Sequence, residues 1–310
     1  MSETIAVWFS CGAASAVAAK LTIEKYGATH NIRILNNPVL EEGDDNQRFL
    51  RDVSAWLDWP IEHVTNPKYP LCSTQEVFDR RKAMVFPHGA PCTFHLKKEA
   101  RQIWEKSNHV DWLVLGFTAE ERGRHDRFCL TERSDLLPVL IDAGMTKQDC
   151  VDYLINAGIE LPESYRLGFP NANCTLKGCV KVTSPTYWNF VRRVRPEGFA
   201  SMAEQSRRLG SRLVRFKGKR IYLDELPADA KGRELKSVKM PDCGVFCEEE
   251  LPMTEPSQTQ GHTREPHDWH ERFGLICCTK CGFVKNDTSD VRGCLGKVFV
   301  VLRAKATGAA

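Results

Sequence analysis

Short apolar segments alternate with helical patterns along the first half of the 310-residue chain, and this alternation constrains the fold more than any other feature. The apolar segments, which we predict to be buried strands, are residues 5–9, 32–35, 112–117 and 137–141. Between them, apolar residues recur at helical spacing. Strands that alternate with helices are typical of a parallel sheet covered by helices, so we predict a doubly wound, mainly parallel α/β fold.

Capping residues indicate where several of the predicted helices begin. Ser73 with Glu76, and Thr146 with Asp149, have the spacing of a capping box. Further helix starts are predicted at Asp44 or Asp45 and at Thr93, the last helix running to about residue 106.

A glycine-containing turn lies between the first predicted strand and an alanine-rich helix. A strand, a turn and a helix in this order point backbone N–H groups at an anion, because the first turn of a helix leaves those groups without partners. Ser10-x-Gly12-x-x-Ser15 fits such a phosphate-binding loop, with serine hydroxyls as additional donors. The predicted nucleotide-binding residues are Ser10, Gly12, Ala13, Ala14 and Ser15.

The thirteen cysteines are clustered along the chain. Cys174 lies close to Cys179 in the sequence, and Cys243 lies close to Cys247. Four thiolates are the ligand set of a [4Fe–4S] cluster or of a tetrahedral zinc ion. We therefore predict a metal centre on these four residues, holding either iron and sulfide or zinc.

Cys92 stands just before the helix predicted to open at Thr93, and Lys97 follows about one turn later. A helix N-terminus and a nearby cation both stabilise a thiolate. Cys92 is therefore predicted to be either a reactive thiol or a metal ligand.

A third group of cysteines lies near the end of the chain. Cys278 and Cys281 form a Cys-x2-Cys-Gly turn, which places two sulfurs on one metal ion. A unit of about forty residues buries too little apolar surface to fold alone, which favours a zinc knuckle. The predicted zinc ligands are His267, Cys278, Cys281 and Cys294, with His270 or Cys277 as alternatives to His267.

Changes in composition predict four segments. Residues 1–169 are predicted to form the nucleotide-binding α/β domain, and 170–250 a cysteine-rich, basic helical subdomain. Residues 251–265 have the polar, proline-containing composition of a linker, and 266–310 form the zinc-knuckle unit.

Charge is unevenly distributed, although the net charge is only +3. Between Lys181 and Arg220, eleven Lys or Arg residues oppose only Glu197 and Glu204, which leaves a net charge of +9. Such a basic window is typical of a surface that binds the phosphates of a nucleotide or a nucleic acid. A solvated helical face has the same composition and stays an alternative.

No apolar run approaches the roughly twenty residues that span a bilayer, and residues 1–5 lack the features of a signal peptide. These observations predict a cytoplasmic protein without a membrane partner. In that compartment thiols stay reduced, so paired cysteines favour metal binding over disulfides.

Five stretches of the sequence together resemble one family. Residues 8–15 resemble the loop of the adenine nucleotide alpha-hydrolase, or PP-loop, superfamily. With them, the chain resembles the phosphoadenosine-phosphosulfate (PAPS) reductase family, especially the members commonly encoded by bacteriophages. The remaining stretches that carry the resemblance, which spans about residues 5–250, are 41–49, 91–97, 116–124, and the cysteine segments 173–181 with 242–247.

This resemblance implies a sulfonucleotide reductase or sulfurtransferase. It would bind ATP or a PAPS-type adenine nucleotide at residues 10–15 and transfer sulfur or electrons through Cys92 or the cysteine-bound centre. The resemblance favours a [4Fe–4S] cluster there over zinc, implies a thiol reductant protein as partner and, for a phage protein, the host cytoplasm. The implied catalytic residues are Cys92, Lys97, Glu121 and Arg124.

Two positions depart from the family pattern. Ala14 replaces the acidic residue of members that split ATP, which argues against magnesium-assisted pyrophosphate release but not against nucleotide binding. Asp242-Cys243-Gly resembles the Glu-Cys-Gly-Leu-His signature, in which the cysteine is a nucleophile. Because Phe246 replaces the histidine and Cys247 follows, Cys243 is predicted to be a ligand.

Two alternatives to a PAPS-reductase-like enzyme stay open. The first is ATP-dependent sulfur insertion into a nucleic acid, which the basic window and the zinc knuckle favour and Ala14 opposes. The second is a catalytically inactive protein that binds a nucleotide or a nucleic acid, which Ala14 favours.

Overall fold

The structure is a computed structural model that describes residues 2–86, 89–169, 173–238 and 243. It also gives the backbone of residues 269–272 and 275–278. The chain divides into two compact units, Met1–Leu251 and Pro252–Ala310.

A four-stranded parallel sheet forms the centre of the first unit. Its strands are β1 Thr4–Trp8, β2 Asn31–Asn36, β3 Ile61–His63 and β4 Trp112–Val114, in the order β3-β2-β1-β4. In the register, Ile5 lies opposite Ile32 on one side and Trp112 on the other. Strand β1 is buried from Ile5 onward, which explains its continuous apolar sequence. The predicted α/β class is confirmed, with a parallel sheet flanked by helices that is compatible with a doubly wound fold.

Helices fill the connections between the strands and most of the described chain after β4. They are α1 Ala13–Tyr26, α2 Asp44–Leu57, α3 Thr74–Arg81, α4 Pro91–Thr93, α5 Glu99–Glu105, α6 Arg122–Thr131, α7 Val139–Asp142, α8 Lys147–Asn156, α9 Glu163–Leu167, α10 Pro185–Val194 and α11 Pro196–Arg208. A π-helical segment, Phe94–Lys98, joins α4 to α5. Two antiparallel hairpins follow, β5 Val214–Phe216 with β6 Lys219–Ile221 and β7 Trp269–Arg272 with β8 Leu275–Cys278.

Most helix starts follow local sequence signals. Ser73 accepts hydrogen bonds from two backbone N–H groups in the first turn of α3, and Thr146 with Asp149 forms the predicted capping box of α8. Helix α2 begins at Asp44 with Gly43 as its cap, so the predicted aspartate cap is displaced by one residue.

The sheet differs from the predicted sheet at two strands. Residues 137–141 do not form a strand, because α7 begins at Val139 and only Leu136 pairs with the sheet, in an isolated bridge to Leu113. A short apolar run fits a buried helix as well as a strand, and Pro138 has no N–H to donate to a sheet. Strand β3 was not predicted from the sequence, because its three residues are at least partly exposed and form no apolar run.

The segment 173–238 shares an apolar core with earlier parts of the chain. Tyr187 and Trp188 of α10 belong to the same buried cluster as Val39, Phe78 and Cys92. A second cluster packs α1, α2 and α8 around the sheet. The cysteine turn at 174–179 is thereby held against the helix that carries Cys92.

The strand order creates a crevice at the carboxyl ends of β1 and β4. From β1 the chain moves outward through β2 to β3, and then crosses to β4 on the other side of β1. Ligands of open α/β sheets bind at this point of reversal. The turn at residues 10–15 leaves β1 there, and a Cβ placed on Gly116, just after β4, would lie 3.0 Å from the backbone nitrogen of Ser15. Only a glycine allows this close approach without displacing the loop.

We expect Gly116→Ala to destabilise the protein, because the added methyl group meets the backbone of Ser15 and Ala14 instead of a flexible side chain. Overpacking of this kind costs about 1–3 kcal/mol. Gly123→Ala in α6 is the matched control, since a Cβ there has no neighbour within 4 Å and alanine favours a helix. Denaturant unfolding should show a loss for Gly116→Ala and an unchanged or higher free energy of unfolding for Gly123→Ala. Equal values for the two variants would contradict the close approach.

Candidate functional site

The turn after β1 closes around the hydroxyl of Ser15. The backbone N–H groups of Ser10 and Gly12 donate to Ser15 Oγ at 3.1 and 3.4 Å, and Ser15 Oγ donates to the carbonyl of Gly12 at 2.9 Å. Cys11 supports the turn with a left-handed backbone, at φ 54°. Backbone N–H groups thus converge on one oxygen, as they do around a bound phosphate.

Tyr165 of α9 lies over this loop. The backbone N–H of Ala13, the first residue of α1, donates to Tyr165 Oη at 3.1 Å, and a Cβ on Gly12 would lie 3.8 Å from the same hydroxyl. Burial raises the pKa of Tyr165. The phenol therefore accepts a hydrogen bond that the start of a helix otherwise offers to an anion. Ala14, the next residue of α1, brings no carboxylate to the loop.

Lys97 and Glu42 form a buried ion pair. Lys97 Nζ lies 3.0 Å from Glu42 Oε1, and the two side chains are 8% and 6% exposed. Burial alone lowers the pKa of Lys97, but the charge of Glu42 and the nearby Cys243 and Cys174 outweigh it, so the pKa is raised. Lys97 is therefore charged at neutral pH.

Cys11 connects this ion pair to the phosphate loop. Burial and then the carboxylate of Glu42 raise the pKa of Cys11, while Lys97 and Asn36 oppose the shift. Asn36 Nδ2 holds the cysteine by donating to Cys11 Sγ at 3.6 Å and to the carbonyl of Phe9 at 2.8 Å. The charges of Lys97 and Glu42 thus act on a residue inside the loop.

Four cysteines from three separate segments lie within electrostatic reach of one another. We call them the thiol cluster, and they are Cys92, Cys174, Cys179 and Cys243. The first three are less than a tenth exposed. Burial raises the pKa of each of these three thiols, and the neighbouring cysteines raise it further, to about 11 for Cys179.

The thiol cluster contains three of the four predicted central metal ligands. Cys174 and Cys179 share one turn, in which Cys174 and Gly178 have left-handed backbones at φ 52° and 85°. Cys243 Sγ lies 3.5 Å from the hydroxyl of Thr93, beside Cys92. The fourth predicted ligand, Cys247, lies outside the described residues.

The helix that carries Cys92 and Lys97 begins two residues earlier than predicted. It starts at Pro91 instead of at Thr93, because proline has the φ angle that the first helical position requires. The π-helical segment Phe94–Lys98 follows. Such wide turns are rare in proteins, and those that occur are often found at functional sites. Here the segment follows the buried thiol of Cys92 and contains the buried ammonium group of Lys97.

The electrostatic surroundings of Cys92 differ from those expected. Lys97, the expected cation, pairs with Glu42, and Lys181 is the cation that lowers the pKa of Cys92. Burial and the neighbouring thiols outweigh Lys181, so the pKa of Cys92 lies well above its ordinary value. The surroundings of Cys92 therefore do not provide the thiolate-stabilising setting that the sequence predicts for a reactive thiol.

Glu121 and Arg124 follow the carboxyl end of β4. Arg124 Nη1 lies 2.9 Å from Glu121 Oε1, and the guanidinium group lies over the ring of Phe117 at 4.9 Å. Glu121 also accepts a hydrogen bond from the backbone N–H of Thr118 at 3.4 Å. Because both charged side chains are partly exposed, the ion pair contributes little to stability and mainly orients Arg124.

Among the residues that the structure describes, no three His, Cys, Asp or Glu side chains are grouped as a site for one metal ion. In the second unit, the pairing of β7 with β8 places Cys278 opposite Trp269 and Cys277 opposite His270. The zinc knuckle stays a prediction. Its other predicted ligands, which lie outside the described residues, are His267, Cys281 and Cys294.

A scan against models of protein families finds no match for this chain, and a search of curated proteins finds none either. No helix among the described residues is long and apolar enough to cross a membrane. Inferences about function therefore rest on the geometry of the site and on the sequence motifs.

Three residues of the site were not singled out by sequence reasoning. Glu42 lies in the stretch 41–49 and Cys11 in the stretch 8–15, both of which carry the family resemblance. The available sequence signal for Glu42 was its position directly before Gly43. Tyr165 offers no signal, because its contact with Ala13 joins residues 152 positions apart.

We expect Lys97→Met to lower the free energy of unfolding by about 3–5 kcal/mol, because it leaves the carboxylate of Glu42 buried without a partner. The double variant Lys97→Met with Glu42→Gln should recover most of this loss, since neither charge is then buried. Lys68→Met is the matched control, because Lys68 pairs with Glu99 at 2.8 Å but is 69% exposed, and it should change stability little. Denaturant unfolding is measured for Lys97→Met, Glu42→Gln, the double variant and the control Lys68→Met. The first three, together with the unchanged protein, form a double-mutant cycle. Additive losses in the double variant would contradict a coupled pair.

Proposed function

We propose that this protein is a PAPS-reductase-like enzyme that binds an adenine nucleotide at residues 10–15 and transfers sulfur or electrons with a metal–thiolate centre. One observation carries the proposal. Cys174 and Cys243 of the thiol cluster lie within electrostatic reach of Lys97, and the Lys97–Glu42 ion pair acts in turn on Cys11 inside the loop at residues 10–15. A nucleotide site and a group of thiols thus share one pair of charges.

The chemistry of the donors supports a metal–thiolate centre. Four thiolates suit a [4Fe–4S] cluster or a zinc ion, whereas magnesium and calcium prefer oxygen ligands. Cys92, Cys174, Cys179 and Cys243 would hold the group. Bound iron and sulfide would supply electrons or sulfur at this place. Binding of a metal by thiols displaces their protons, and the ammonium group of Lys97 would offset part of the negative charge that results.

The loop and its neighbours would bind and orient the nucleotide. Converging N–H groups and the charge of Lys97 suit a phosphate or a sulfate. Ala14 leaves the loop without the carboxylate that ATP-splitting relatives use to hold magnesium. This favours a nucleotide that is already activated, such as PAPS, over ATP. Arg124, oriented by Glu121, would contribute a further cation, and a thiol protein would act as the reductant.

Sulfur insertion into a nucleic acid is the second candidate. The basic window between Lys181 and Arg220 favours it, and Ala14 opposes the adenylation step that it requires. Anaerobic incubation with labelled PAPS, and separately with labelled ATP and nucleic acid, distinguishes the two. Tight binding without any product would instead indicate a nucleotide-binding protein that has lost its activity.

We expect protein purified without oxygen to contain about four iron and four sulfide per thiol cluster. Cys92→Ala should abolish this iron, because it removes one of four ligands. Cys150→Ala is the control, since Cys150 is also buried, in α8, but is not part of the thiol cluster. The measurement is iron, acid-labile sulfide and zinc analysis with an absorption spectrum. Loss of iron from Cys247→Ala but not from Cys92→Ala would instead support the ligand set predicted from sequence. Zinc without iron would exclude the cluster.

We expect Tyr165→Phe to tighten nucleotide binding, because the phenol competes with a phosphate for the N–H of Ala13. Losing one hydrogen bond of this kind, worth about 0.5–1.5 kcal/mol, should also lower the stability of the free protein. Titration calorimetry with adenosine 3′,5′-bisphosphate, which carries the nucleotide part of PAPS, measures the affinity. Weaker binding by Tyr165→Phe would show that the hydroxyl is a ligand of the phosphate and not its competitor.

A further inference from the structure

The hairpin of β5 and β6 concentrates positive charge in a short exposed segment. We call residues 212–220 the basic hairpin. Its five cations, all exposed, are Arg212, Arg215, Lys217, Lys219 and Arg220. No acidic residue lies among them. Val214 is fully buried, and Phe216 and Ile221 pack against the apolar core, so their face anchors the hairpin while Arg215 and Arg220 lie on the opposite face.

The turn of the basic hairpin places a lysine where local stability favours another residue. Lys217 and Gly218 are its two central residues, with φ angles of 46° and 78°. A two-residue turn with both φ angles positive is normally Asn-Gly or Asp-Gly, because asparagine and aspartate tolerate the left-handed region. Lysine adopts the left-handed conformation at a cost in free energy. Lys217 therefore lowers the stability of the turn, but it places an ammonium group at the tip of the hairpin.

A second feature of the basic hairpin also costs stability. Arg215 lies directly opposite Arg220 in the antiparallel register. Like charges in this position repel each other across the strands. The pKa of Arg220 is lowered, first by partial burial and then by Arg215. An anion close to both guanidinium groups would relieve this repulsion.

Among the residues that the structure describes, no carboxylate forms an ion pair with the five cations of the basic hairpin. Three of the five arginines elsewhere in the same basic window do have acidic partners. These pairs are Arg195 with Glu163, Arg207 with Asp224, and Arg208 with Asp79. Within the described residues, the hairpin is thus a continuous stretch of the window whose five charges are not neutralised by ion pairs.

We propose that the basic hairpin binds the phosphate backbone of a nucleic acid. A two-stranded ribbon fits a nucleic-acid groove, and cations on a narrow ribbon can neutralise successive phosphates. An anionic membrane is the less favourable partner, because a hairpin that inserts into a bilayer presents apolar side chains at its tip and this tip is Lys217-Gly218. The inference does not depend on the nucleotide site or the thiol cluster.

Lys217→Asn tests the proposal, because it is expected to preserve or raise the Tm while it weakens binding to a nucleic acid. Asparagine suits the left-handed position, so the Tm should stay the same or rise. Loss of one phosphate contact should weaken binding on the order of five- to tenfold at 0.1 M salt and reduce the slope of log K against log salt by about one. Lys82→Asn is the matched control, since Lys82 is also an exposed lysine in the left-handed region, at φ 53°, but lies at the end of α3. It should leave binding unchanged.

Arg215→Thr provides a second, independent variant. Threonine suits a strand and removes the repulsion with Arg220, so this change should also preserve or raise the Tm while weakening binding. The full chain is titrated against a labelled oligonucleotide of mixed sequence, as duplex DNA, duplex RNA and single strand, in a series of salt concentrations. The same titration with phosphatidylserine vesicles tests the membrane.

Weaker binding by Lys217→Asn and Arg215→Thr, with wild-type binding by Lys82→Asn, would support the proposal for whichever oligonucleotide binds. Equal losses in all three variants would overturn it, since they would reflect net charge alone. Wild-type binding by both hairpin variants would also overturn it, as would binding to the vesicles but to none of the oligonucleotides.

Discussion

The buried ion pair between Lys97 and Glu42 is the interaction on which the rest of the site depends. Neither charge is stable in this place without the other, so the helix that begins at Pro91 and the turn after β2 have to meet. The backbone of the same turn accepts a hydrogen bond from Thr175, the neighbour of Cys174. One pair of charges therefore positions the thiol cluster relative to the sheet, and through Cys11 it acts on the phosphate loop.

Burial decides the chemistry of the cysteines more than the start of a helix does. Removal from water favours the neutral thiol, and close thiols reinforce this preference because two neighbouring thiolates repel each other. Lys181 and Lys97 act in the opposite direction. These surroundings favour the neutral thiol over the thiolate at Cys92, Cys174 and Cys179.

Local sequence signals predicted much of the fold and part of the site. The turn at residues 10–15, the helix after Gly43 and the capping box at Thr146 depend on neighbouring residues, and each is present. The run at 137–141 was ambiguous, because a short apolar segment suits a helix or a strand equally. The position of Cys92 beside Cys174, and of Tyr165 over the loop, depends on packing between distant segments. Such contacts leave no periodic signal in one sequence.

The thiol cluster draws its members from widely separated parts of the chain, with Cys92 in the first half and Cys243 near the end of the first unit. During synthesis, the sheet, the loop and three of the thiols leave the ribosome well before the fourth. A nascent chain can therefore complete the sheet and the turn at residues 10–15 while Cys243 is still missing. The four thiols come together only after translation of nearly the whole first unit, so assembly of the thiol cluster is ordered by the chain itself.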